Sequence, residues 1–142
     1  MKNKIFSVLI VFALCMLKTK AQPAGVPDTL AYLQTIVANK TQYIGQPLSL
    51  LLNHLQIEVK QFSPFGGIHH RKDSETSTTL GFYCPIGSND RYRLFPALRV
   101  FWNPYLDKGT SMSLYSMFGG CWAPQVYNHY ANEIVRDIDI LE

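Results

Sequence analysis

At residue 56 the hydrophobic pattern of the chain changes period, and that change sets the fold class. Before it, apolar side chains recur at helical spacing. Leu30, Leu33, Ile36 and Val37 share one face of a segment spanning residues 29–40, and Asp28 is placed to cap its first turn. A turn through Tyr43-Ile44-Gly45-Gln46 leads to Pro47, which suits the first position of a second helix. Leu48, Leu51, Leu52 and Leu55 form the stripe of that helix, with His54 at its boundary.

Beyond residue 56 the pattern alternates. Residues 56–62 read as a strand with Ile57 and Val59 inward, and residues 78–84 as another with Leu80, Phe82 and Cys84 on one face. Residues 63–77 between them read as a long polar loop. A third strand over residues 97–102 sets Leu98, Val100 and Trp102 against Arg99 and Phe101, with Pro104 as its stop. Residues 110–118 fit either a strand or a turn of helix. Pro124 opens a helix carrying Val126, Tyr127, Tyr130 and Ile134 on one side. Residues 136–140 alternate like a final strand, although they also fit an extension of that helix. The sum is an α+β fold: N-terminal helices packed on a small antiparallel sheet of three to five strands.

The N-terminus carries an export signal. Lys2 and Lys4 precede a 13-residue run, residues 5–17, whose only polar side chain is Ser7, and Thr19 and Ala21 supply a small-residue cleavage site. That run falls short of the roughly 20 apolar residues a membrane-spanning helix needs. Cys15 raises the question of a lipid anchor, but Leu14 before it is large for the processing enzyme. The expected product therefore begins at Gln22, has a short tether over residues 22–27 and a single globular domain over residues 28–142, with no transmembrane segment, and works in the periplasm or outside the cell. Residues 39–41, Asn-Lys-Thr, form a glycosylation sequon that matters only in a eukaryotic host.

Cleavage changes the charge. Four of the 13 basic residues leave with residues 1–21 and none of the 10 acidic ones, so the net charge moves from +3 to −1. Arg91, Arg93 and Arg99 are the nearest thing to a basic cluster, too thin for phosphate-backbone binding, and nucleic acid is set aside as a partner. Of the three cysteines, Cys84 and Cys121 remain. An oxidising compartment favours a disulfide between them, and a closed span of 37 residues would stabilise the fold by roughly 3–4 kcal/mol.

Chemistry-bearing residues are few. His69, His70 and Asp73, with Glu75 nearby, are the one concentration of metal-capable side chains, although adjacent histidines in an extended loop point apart. Asp137 and Asp139 share a strand face, the spacing of either an acid–base pair or an ordinary solvent-facing pattern. Cys121 with His129 is a nucleophile-and-base pairing that competes with the disulfide. No cofactor motif and no nucleophile-elbow, zinc-helix or phosphate-loop pattern occurs.

Aromatic residues crowd the second half instead, with arginines among them. Tyr92, Arg93, Tyr105 and Tyr115 fall at loops or element ends, where rings and guanidinium groups favour partner contact. Residues 43–62, from Tyr43-Ile44-Gly45-Gln46-Pro47-Leu48 through a leucine helix into a strand, resemble the opening of a PASTA-type cell-wall-binding repeat, a likeness of turn chemistry that implies no function. The expectation is a small exported binding domain for a protein or glycan, without catalysis and without a cofactor. The alternative is a small secreted hydrolase or metal-dependent enzyme using His69, His70 or His129.

Overall fold

Helical spacing becomes helix where an apolar stripe finds a sheet to cover. In a computed structural model that describes residues 28–84 and 95–141, α1 spans Thr29–Ala38, followed by a 3-10 turn at Lys40–Gln42, and α2 spans Leu48–His54. Asp28 caps α1 as expected, its carboxylate accepting from the Ala31 amide at 3.0 Å. The strands are β1 (Gln61–Ser63), β2 (Ser74–Gly81), β3 (Ala97–Asp107) and β4 (Val135–Leu141), and α3 (Lys108–Phe118) and α4 (Pro124–Tyr130) lie between the last two. They form one antiparallel sheet in the order β1-β2-β3-β4. The α+β fold is as expected, and the final segment takes the strand reading. The expected signal peptide over residues 1–21 and the expected tether over 22–27 lie outside the described residues.

One face of the sheet holds the core. Phe62, Leu80 and Leu98 lie abreast across β1, β2 and β3, and Thr78, Val100 and Ile138 across β2, β3 and β4. Leu33 and Ile36 of α1, Leu48 and Leu51 of α2, and Val126 and Tyr130 of α4 are buried against them. Each fully buried large apolar side chain contributes about 1.5–3 kcal/mol by leaving water, which is why the leucine stripes and the inward strand residues fix each other's placement.

Four expectations change. The polar loop ends at Asp73, because β2 begins at Ser74 and Glu75, Thr76, Ser77 and Thr78 are all buried. Of residues 56–62 only Gln61 and Phe62 pair as a strand, within β1, although Val59 is buried as expected. Pro104 does not stop β3: on the β2 side Ser77 pairs with Phe101 and Glu75 with Leu106, so Pro104 falls in an irregular stretch where that ladder has no register pair for a missing N–H to break. Residues 110–118, which fit either reading, are helical, within α3. Asp107 caps that helix by accepting from the Thr110 amide at 2.8 Å, and Gly119 ends it in a left-handed conformation that glycine adopts without steric cost.

The fourth correction concerns the cysteines. Cys84 and Cys121 are both free and exposed. Gln61 pairs with Gly81 on one side and bridges to Cys121 on the other, so β1 stands between Cys121 and the strand end that leads to Cys84. A thiol-specific chromogenic reagent should therefore titrate two thiols per chain in the unreduced protein lacking residues 1–21. A count of zero would show that the two cysteines pair.

Candidate functional site

Two features stand apart from ordinary packing. The first is enclosed. Glu75 has 0% exposed surface and faces Leu106 across β3. Thr78 donates to its carboxylate, and Tyr130 of α4 donates from 3.1 Å. Thr78 in turn accepts Trp102 Nε1–H at 2.9 Å, and Trp102 stacks on Tyr130 with centroids 5.5 Å apart. Ser111 of α3, also fully buried, lies 3.0 Å from Nε2 of half-buried His129. Burial pushes the Glu75 carboxyl above its ordinary range, and hydroxyl donors from Ser111, Thr78 and Tyr130, with His129 nearby, oppose that shift. Burial also pushes the Tyr130 phenol up, and the Glu75 charge adds to it.

A serine hydroxyl within hydrogen-bond reach of an imidazole is the geometry of an activated nucleophile. Here Ser111 has no exposed surface, so no substrate reaches its hydroxyl. The arrangement ties α3 and α4 to the sheet and does not present a reactive group.

The second feature is open. The sheet face turned away from the helices carries Arg99, Phe101, Tyr105 and Arg136. The Arg99 guanidinium lies 5.3 Å from the Phe101 ring centre, Arg136 lies 5.6 Å from the same ring, and Arg136 lies 5.5 Å from the Tyr105 ring. Arg136 also donates to the Tyr105 hydroxyl at 3.3 Å. A bulge between Phe101 and Trp102 sets this up: Asp137 is the register partner of Phe101, and Arg136 is the extra residue beside it. Asp139 holds Arg99 at 3.1 Å, and Asp137 holds Lys40 at 2.7 Å. The Lys40 hydrogen bond keeps the Asp137 carboxyl below its ordinary range. Both aspartates are thus engaged with cations and do not act on each other.

Of the expected ligand residues, the structure places Tyr105 on this face, with its ring against Arg136. Tyr115 is elsewhere, edge-on to Phe62 and Phe65 on the helix-covered side. Tyr92 and Arg93 lie outside the described residues. His69, His70 and Asp73 are exposed in the turn where Ile68 and Arg71 pair. Among the described residues, no group of three or more His, Cys, Asp or Glu side chains is gathered as a metal requires. His129 pairs with Ser111. Arg136 went unnoticed in the sequence because strict alternation gives no sign of a bulge. The buried position of Glu75 is hidden by its polar neighbours, since Ser74-Glu75-Thr76-Ser77 reads as loop until strand register is known.

No family model matches the chain, and no curated protein or solved structure does either. Among the described residues, no helix is long and apolar enough to cross a membrane.

Proposed function

We propose that this protein is an exported, non-catalytic binding domain that holds a protein partner on the open face of its sheet. The observation that carries this reading is the row Arg99, Phe101, Arg136 and Tyr105, where rings and guanidinium groups alternate at 5.3–5.6 Å. Arginine and aromatic side chains are enriched at protein interfaces, because each brings a large, rigid contact area to the surface at low entropic cost. Export rests on the charge, apolar run and small-residue site of residues 1–21.

The chemistry of the face favours a protein over a glycan. A sugar stacks on an open ring face, whereas guanidinium groups already lie against Phe101 and Tyr105. A face bearing both Arg136 and the acidic pair Asp137 and Asp139 suits a partner surface of mixed charge.

The test immobilises the domain from Gln22 onward and titrates proteins of the native extracytoplasmic fraction against it. Wild type should retain a discrete partner, Phe101→Ala and Arg136→Glu should each weaken it more than about tenfold, and Gln34→Ala on exposed α1 should not. Retention of a polysaccharide in place of a protein would change the partner class. Equal retention by all variants would rule out this face.

A further inference from the structure

A single buried carboxyl group accepts a hydrogen bond from α4 and is influenced by a hydroxyl of α3, the two helices between β3 and β4. Glu75 is sealed from solvent; Thr78 of its own strand and Tyr130 of α4 donate to it, and the Ser111 hydroxyl of α3 opposes the effect of its burial. Thr78 Oγ1 is occupied as an acceptor by Trp102 Nε1–H, which directs its own proton to Glu75. Ser111 connects this centre to His129, whose ring is half-buried. The open sheet face makes no use of this cluster.

We propose that Glu75 is a proton-operated latch for α3 and α4, closed while its carboxyl is neutral and loosened when the group ionises inside its enclosed site. A neutral carboxyl is readily accommodated among hydroxyl groups, whereas a buried carboxylate needs a compensating positive charge. The facing elements offer little. From β3 come Trp102 and Leu106, from α3 Ser111, and from α4 Tyr130 and His129. Asp107, at the start of α3, turns its carboxylate onto Thr110. Among the described residues neither Lys nor Arg forms an ion pair with Glu75.

The direction of the pH effect follows from burial. The folded state holds the Glu75 proton more tightly than the unfolded chain, because desolvation outweighs the donors. Its contribution to stability is therefore complete below the ordinary glutamate range and is lost as pH rises through the raised value. Asp137 works in the opposite window: with its carboxyl held low by Lys40, its contribution is lost only as pH falls below the ordinary aspartate range.

Urea unfolding and amide hydrogen exchange at about pH 5 and about pH 8, corrected for intrinsic exchange rates, test the latch in wild type, Glu75→Gln and His129→Gln. Between those values the wild-type folding constant should fall at least about tenfold, and that of Glu75→Gln less than about threefold. In wild type, exchange should quicken in residues 108–118 and 124–130 but not in residues 29–38. If Glu75→Gln does not fold, Tyr130→Phe provides the check: it removes one donor from the ionised carboxyl and should deepen the alkaline loss. Three results would overturn the latch. They are a wild-type folding constant that does not change with pH, exchange that quickens equally in all helices, and a pH response that survives Glu75→Gln but disappears in His129→Gln.

Discussion

Trp102→Ala is expected to destabilise the domain by about 3–5 kcal/mol, the range for truncating a fully buried large aromatic side chain. Trp102 has 0% exposed surface at the centre of the sheet, and its ring lies 16° from parallel with Tyr130. Alanine would leave a cavity between β3 and α4, remove that stacking, and deprive Thr78 of its donor. Since a domain of this size is stabilised by about 5–15 kcal/mol in total, much of the population would unfold in mild denaturant. Urea unfolding followed by circular dichroism measures the loss. Trp102→Phe separates the contributions, because it keeps a ring on Tyr130 and loses the N–H. It should cost about 1–3 kcal/mol through the lost hydrogen bond and the smaller ring. A cost below about 1 kcal/mol for Trp102→Ala would mean that the indole does not hold the core position described here.

Gly66→Ala is the second large effect, expected at about 2–3 kcal/mol. A Cβ at this position would lie 2.8 Å from the Ser77 backbone nitrogen and still closer to that residue's carbonyl and hydroxyl oxygens. These atoms cannot yield, since Ser77 is paired with Phe101 in the β2–β3 ladder and the Gly66 carbonyl accepts from the Thr76 amide at 3.2 Å. The chain leading from β1 would have to lift off the sheet. Gly67→Ala is the control: its nearest neighbour is the flexible end of Lys108 at 3.2 Å, and its effect should stay within about 0.5 kcal/mol. Limited proteolysis should cut residues 64–73 faster in Gly66→Ala alone. Equal behaviour of the two variants would show that the close approach to Ser77 does not exist.

Both effects concern contacts between segments distant in the chain, which is where sequence reading ran out. The stripes of α1 and α2 were legible because a helix shows its buried face within a dozen residues. So were the inward residues Leu80, Leu98, Val100 and Trp102, because a strand repeats every second residue. Pro124 and Asp28 marked helix starts by local chemistry alone. The run from Ser74 to Ser77 looked like loop because its side chains are polar, and polar residues enter a core only when partners elsewhere satisfy them. The partner that satisfies Glu75 from the helical layer, Tyr130, lies 55 residues further along. The cysteines gave a compositional reason to pair but no geometric one, and both thiols are free in the structure.

The same division applies to the open face. Tyr105 was singled out by its place near an element end, and Tyr115 was chosen on equal grounds, yet they lie on opposite sides of the sheet. Arg136 joined Phe101 and Tyr105 only through a one-residue bulge, which alternation cannot reveal. By itself, then, the sequence determined the α+β class, the two N-terminal helices and the inward faces of the strands, because each depends on interactions a few residues apart. Tertiary structure alone decided which polar groups are buried, which thiols can meet and which rings share a face with arginine, because each depends on the register between strands and on where the late helices come to rest.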